Sequence, residues 1–241
     1  MRSRSRPAAD RPGTLLAEAP RVRRLTALDT AMLGALVLMI ALHIVAALLS
    51  AGWPTAALTD AIVGGYLLAL ALNVAQRVVL VRLMVLGAIA GLLELATDAA
   101  GEGFARSLVY APGGPFIWAS PAYMPLSWTI VLTLLGYLAW RLSPYVPLPV
   151  AMTICGVWAG LNIPFYEEMA FHAGWWRYAA APAWGHTPLY VMLFEALIGA
   201  SLPLLVRGME RASWRGMVLR GAAEGAWMPV AALAAWLLLG R

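Results

Sequence analysis

Seven apolar segments, each about as long as a bilayer is thick, constrain this chain more than any other feature. They cover about 29–52, 56–76, 81–100, 122–141, 147–166, 187–206 and 217–239. A helix needs about 20 apolar residues to cross the hydrocarbon core. Lipid offers no hydrogen-bond partners, so such runs cross it as helices that satisfy their own backbone. Gly52-Trp53-Pro54, Pro144 and Pro147 mark connections. Only 12% of the residues are charged, against about 25% in soluble domains, which leaves no room for a sizeable soluble unit. The expected fold is all-α: a polytopic membrane protein with seven transmembrane helices over residues 29–241, preceded by an Arg-rich, disordered cytoplasmic arm over residues 1–28.

Orientation follows from the cations. All seventeen basic residues are Arg. With the N-terminus inside, the arm and the loops near Arg77 and Arg82, Arg141 and Arg207 to Arg220 hold fourteen of them, and the outside holds Arg106, Arg177 and Arg241. The positive-inside rule therefore predicts a cytoplasmic N-terminus and an external C-terminus. Arg23-Arg24 ahead of an apolar run resembles a twin-arginine signal, but that run exceeds the roughly 7–15 residues of a signal core and reads as an uncleaved first helix. Both long loops, about 101–121 and 167–186, then lie outside, on the periplasmic side if the membrane is a bacterial inner membrane. The pI near 9.8 is explained by orientation and anionic lipid, with no nucleic acid required.

The absence of Lys excludes a retinal Schiff base. The lone Cys155 cannot form an internal disulfide. With three His and no CxxC or HExxH pattern, no metal and no cofactor are expected.

Acids inside apolar segments are the informative residues, because a bilayer tolerates them only facing protein or water. In the third segment Gly87, Gly91, Glu94 and Asp98 follow steps of four, three and four along one helical face. A Gly-xxx-Gly pair admits a close neighbour helix, which turns the stripe toward protein. The fifth segment repeats these steps with Gly156, Gly160, Ile163 and Glu167; Asn162 and Pro164 are expected to interrupt that helix. Of the adjacent Glu167 and Glu168, the stripe selects Glu167 as the inward one. Glu195 lies about two turns below the outer end of the sixth segment, at the depth of Glu94. A carboxyl kept from water is held neutral and becomes a candidate general acid, and two converging acids can divide donor and acceptor roles. The competing explanation for each is an interhelical hydrogen bond.

Several other polar residues carry bland expectations. Glu224 reads as a snorkelling or loop-paired group near the inner end, Asp60 as the start of the second helix, and His43 and Asn73 as packing residues. His172 and His186 lie in the second outer loop, either in the site or solvated. Aromatics crowd the same end. Tyr110, Trp118, Tyr123, Trp128 and Tyr166, with Asn162, are the candidate substrate contacts, while Trp175 and Trp176 read as interfacial belt. Aromatic faces stabilise a cation by about 0.5–2 kcal/mol each.

Glu94 followed by Tyr110, Pro115, Pro121 and Pro125-Leu126-Ser127-Trp128 resembles a segment of the membrane-integral carotenoid hydratases. The layout of small helices with acids in their outer halves also resembles the integral-membrane lycopene cyclases and the fungal meroterpenoid cyclases. Asp98, Glu102 and Arg106 depart from the hydratase loop, and Tyr166-Glu167-Glu168 only echoes the cyclase motif. The resemblance implies protonation of an isoprenoid alkene or epoxide, then ring closure or hydration. By this resemblance Glu94 would be the acid or a member of the acid pair. The residues' own placement makes Glu195 its expected partner, with Asp98 and Glu167 tuning the two, and the expected partners are a lipophilic isoprenoid and membrane lipid. A proton-coupled transporter or channel and a non-catalytic assembly factor are the alternatives. The inner halves of the third, fifth and sixth segments lack acids, which counts against transport.

Overall fold

The computed structural model describes residues 25–75, 77–100, 107–179 and 181–240. Of the arm expected at 1–28, residues 1–24 lie outside the described residues, as do Glu102 and Arg106, while Ala27 and Leu28 already belong to the first helix. Seven helices form the body: α1 (Ala27–Leu49), α2 (Trp53–Asn73), α3 (Arg77–Ala100), α4 (Met124–Leu142), α5 (Leu148–Ala173), α6 (Leu189–Val206) and α7 (Trp214–Leu239). Six are long and apolar enough to cross a membrane. The exception, α4, carries Trp128, Thr129, Thr133, Tyr137 and Arg141, and several of these are buried against other helices rather than facing lipid. The chain is an all-α polytopic membrane protein.

Local chemistry sets the helix ends. Thr26 and Asp29 form a reciprocal capping box at α1. Asp29 also takes Arg141 (2.7 Å) and the Tyr137 hydroxyl (2.6 Å), tying α1 to α4. Pro54, Pro125 and Pro149 sit in the first turns of α2, α4 and α5, where a missing N–H costs nothing. Contrary to the sequence expectation, α5 continues through Asn162 and Pro164 without a break. At the Arg-rich end, Arg220 Nη1 donates to the Leu205 carbonyl at 2.6 Å and Arg82 donates to that of Met209.

Short strands follow α3 and α5: β1 (Leu108–Tyr110), β2 (Phe116–Ile117), β3 (Ser120–Pro121), β4 (Trp176–Tyr178), β5 (Ala183–Trp184) and β6 (Thr187–Pro188). Strands β1 and β4 pair antiparallel with Val109 opposite Arg177. Each neighbour extends the ladder: Ala111 N donates to Trp175 O at 2.9 Å and Ala179 N to Ser107 O at 2.7 Å. The hairpins β2–β3 and β5–β6 match as well, with Ala122 N donating to Pro115 O (2.8 Å) and Leu189 N to Pro182 O (2.9 Å). Trp118 and Gly185 occupy equivalent turn positions at φ 60° and 61°.

The correspondence continues into the helices. A methyl group at Gly87 or Gly91 would lie 2.8 Å from Thr129 O or 2.7 Å from Pro125 O. At Gly156 or Gly160 it would lie 2.8 Å from Ala196 O or 2.9 Å from Met192 O. Both hairpins use glycine to bring backbones together. The units α3-β1-β2-β3-α4 and α5-β4-β5-β6-α6 are therefore two copies of one motif, related by a pseudo-two-fold axis through the β1–β4 ladder. The duplicated Gly-Gly-acid spacing in the third and fifth segments is its sequence trace.

Candidate functional site

An apolar cavity of about 990 Å³ lies inside the bundle, at the upper end of the roughly 300–1,000 Å³ range of small-molecule pockets. Glu94, Asp98, Glu167 and Glu195 all line it, brought together from α3, α5 and α6. Tyr110, Tyr123, Trp128, Asn162 and Tyr166 line it too. Trp118 does not: it is 75% exposed at the tip of the β2–β3 turn, because the hairpin register directs that position away from the bundle.

The duplication explains two of the acids. Asp98 Oδ2 accepts from the Tyr110 hydroxyl at 2.5 Å and from Ser120 Oγ at 2.7 Å. Its counterpart Glu167 accepts from Trp176 Nε1 at 2.6 Å and from the Tyr178 hydroxyl at 3.2 Å. Tyr110 and Tyr178 are themselves equivalent across the β1–β4 ladder. Burial pushes both phenols well above their ordinary range, and the nearby carboxylates, Asp98 for Tyr110 and Glu167 for Tyr178, push the same way. Both phenols are thus fixed as neutral donors.

The other two acids break the symmetry. Glu94 corresponds to Ile163, and Glu195 corresponds to Trp128. Glu94 is 1% exposed; Asp98 and Trp128 face it and Glu195 lies within electrostatic reach. At full hydrogen-bond geometry its Oε2 has no partner among the described residues. Glu195 in turn lies within the field of Glu167. Glu94 Oε2 is thus an enclosed carboxyl oxygen in the cavity wall with no partner among the described residues, and a buried polar atom of that kind calls for an explanation.

Several residues differ from their sequence reading. Trp175 and Trp176 are not belt residues: Trp175 is buried and donates to Thr55 Oγ1 at 2.8 Å, while Trp176 holds Glu167. Asp60 lies eight residues into α2, not at its start, and accepts from Ser127 Oγ across to α4. Glu224 is fully buried and meets Ser201 Oγ at 2.8 Å, rather than snorkelling. His43 Nδ1 donates to Met39 O (2.8 Å), and the ring lines the cavity between those of Tyr166 and Trp175, at 4.9 and 5.0 Å. His172 and His186 lie outside the cavity lining and gather around Glu168 instead. Tyr178, one of the aromatics expected near this end, lines the cavity, as do Tyr190 and Phe194, which the sequence did not single out. An internal comparison aligning Gly160–Glu167 with Gly91–Asp98, and allowing the first repeat one extra residue before Tyr110 and another before Tyr123, would have matched Tyr178 with Tyr110 and Tyr190 with Tyr123.

A protein-family model matches residues 95–239, from the end of α3 to the end of α7, and is described as a domain of unknown function, DUF6989. The chain belongs to this family. The matched region holds Asp98, Glu167 and Glu195 and most of both repeats, whereas Glu94, α1 and α2 precede it. No curated protein and no solved structure matches the chain.

Proposed function

We propose that this multi-pass membrane protein is an acid-initiated isoprenoid cyclase or hydratase, working in a bacterial inner membrane with its site toward the outer side. The observation that carries the reading is the convergence of four carboxyls, from three helices, on one apolar and aromatic cavity. Access from lipid fits the lining: Leu33, Ile154, Trp158 and Leu233 belong to it and are also exposed on the apolar outer surface.

In the proposed reaction Glu94, in its neutral form, gives its proton to an alkene carbon or epoxide oxygen. The alkene π pair, or the breaking C–O bond, supplies the electrons and leaves a tertiary carbocation. Trp128 and Phe194, whose rings pack edge to face at 6.1 Å, border its path and stabilise it by their ring faces. The cation is discharged when Glu195, as carboxylate, takes a proton from the adjacent carbon, or when water adds and loses a proton to the same group. Asp98 and Glu167, each held by a tyrosine, fix the field around the pair.

Comparing lipid extracts of an isoprenoid-producing host with and without the gene tests the reading by mass spectrometry. A gain of one water mass identifies hydration, and unchanged mass with altered retention identifies cyclisation. Glu94→Gln and Glu195→Gln should each lower product by about 10²–10⁴-fold, the usual contribution of a general acid or base. Unchanged product in both variants, or no product with the wild type, overturns it.

A second reading, proton-coupled transport, draws on Glu224. This acid lies about 15 Å into α7 from its Arg-rich end and bonds Ser201 of α6, so a buried acid does extend deeper than Glu195. It lies outside the cavity lining, however, and gives the cavity no through-path of its own.

A further inference from the structure

On the face of the second repeat, away from the cavity, Glu168, His172 and His186 form a separate cluster. Glu168 Oε1 lies 3.1 Å from His172 Nε2, Glu168 Oε2 lies 2.9 Å from His186 Nδ1, and one ligand atom from each of the three falls within 4.8 Å of the others. We infer that this cluster is a surface site for a borderline divalent transition ion, best matched by Zn²⁺, that ties the end of α5 to the β5–β6 hairpin.

Three features favour a binding site over an ordinary ion pair. Glu168 and His172 stand one turn apart on the last turns of α5, the spacing that puts two ligands on one helical face. His186 arrives from the hairpin with its ring stacked on Phe171 at 3.5 Å and 12°, which fixes the plane in which its Nδ1 points. Gly185 then keeps the carboxylate clear. A methyl group there would come 3.2 Å from Glu168 Oε2, yet the backbone conformation alone does not demand glycine, since Trp118 adopts the same φ in the first repeat.

The first repeat is an internal control. Ala99 and Ala119 stand where the second has Glu168 and His186, and its hairpin forms the same hydrogen bonds. The turn therefore folds without the cluster, whose residues are free to serve another purpose. Two imidazoles and one carboxylate suit Zn²⁺, whereas Ca²⁺ and Mg²⁺ call for oxygen-rich sets. Tetrahedral Zn²⁺ places its ligand atoms about 3.3 Å apart; each imidazole is already near this distance from one carboxylate oxygen, His172 from Oε1 and His186 from Oε2, and the partly exposed side chains are able to close the remaining separations from within 4.8 Å. A water completes the shell.

The test is equilibrium dialysis of untagged, detergent-purified protein against Zn²⁺, with metal measured by mass spectrometry and melting followed in parallel. One Zn²⁺ per chain at micromolar free metal is expected, with a rise in Tm that Ca²⁺ and Mg²⁺ do not give. The His172→Ala/His186→Ala variant, left with one carboxylate ligand, should lose more than the roughly 10–100-fold that a supporting partner of a ligand contributes, while its metal-free Tm stays near that of wild type. Sub-stoichiometric binding by the wild type overturns the site, as does undiminished binding by the double variant. Because the cluster lies off the cavity, Glu94→Gln should leave Zn²⁺ binding unchanged, so failure here and failure of the enzymatic reading are separable.

Discussion

Gly91→Ala probes the contact that aims Glu94 at the cavity. The added methyl would lie 2.7 Å from Pro125 O and 2.9 Å from Trp128 Cβ. Carbon–oxygen contacts settle near 3.3–3.6 Å, so α3 and α4 must part by about 0.6–0.9 Å at this point. Overpacking of this kind costs about 1–3 kcal/mol, offset by the roughly 0.5–1 kcal/mol that alanine gains over glycine inside a helix. Gly65→Ala supplies the reference, because a methyl there meets nothing within 4 Å and leaves only the propensity gain. The two variants should therefore differ by about 1–3 kcal/mol, the overpacking cost alone. Cys155, the only cysteine and fully buried, makes a thiol-reactive dye a direct reporter of unfolding in detergent. If Gly91→Ala proves as stable as Gly65→Ala, α3 and α4 are not in backbone contact, and the inward direction of Glu94 loses its cause.

Two further substitutions bear on the site and its frame. Tyr110→Phe should destabilise more than Tyr178→Phe although the two are equivalent, because Tyr110 binds Asp98 at 2.5 Å whereas Tyr178 binds Glu167 at 3.2 Å beside the Trp176 indole. Hydrogen bonds inside membrane bundles contribute about 0.6 kcal/mol on average and up to about 1.7, so the dye assay should place the two near opposite ends of that range, and equal losses would contradict the geometry. Asp29→Ala removes the Arg141 ion pair and half of the capping box at once; a loss of about 1–3 kcal/mol is expected, and an unchanged melting curve would show that α1 is not anchored through Asp29.

Helix placement was legible because the signal is local: each apolar run carries its own evidence of spanning, and the structure moves most ends by only a few residues. The exception is α5, which runs past the expected end at 166 to Ala173 and so takes Glu167 and Glu168 out of the expected outer loop. The choice of Glu167 as the inward one of the pair with Glu168 was legible for the same reason, since the Gly156–Gly160 stripe states which face meets α6. What stayed hidden depends on partners far along the chain. Ser127 reaches Asp60 across 67 positions, Ser107 meets Tyr190 across 83, and Thr55 receives Trp175 across 120. Composition could not tell a tryptophan at a hairpin tip from one turned onto an acid, so Trp118 was placed in the site and Trp176 outside it. The interruption expected at Pro164 failed because a proline removes one hydrogen bond, and packing of α5 against α6 holds the helix across that gap.

The duplication also bears on how four acids can act differently. Two copies of one hairpin motif give two like sites: an acid at the helix end, Asp98 or Glu167, held by a tyrosine from the ladder. A bundle that stopped there would present carboxyls in matched surroundings, with matched proton affinity, and nothing to separate a donor from an acceptor. The chain departs from its own repeat at two positions on the cavity wall. It places Glu94 where the other copy has Ile163, and Glu195 where the other has Trp128. Glu94 therefore faces an indole and a neighbouring carboxyl, while Glu195 lies within the field of Glu167. Scaffold positions follow the repeat, and the acids proposed to exchange protons are the ones that break it. An Ile163→Glu exchange would restore the symmetry at that position and should abolish product by equalising the surroundings while the protein still folds and melts near wild type, whereas product formed at the wild-type rate would show that the asymmetry does not matter.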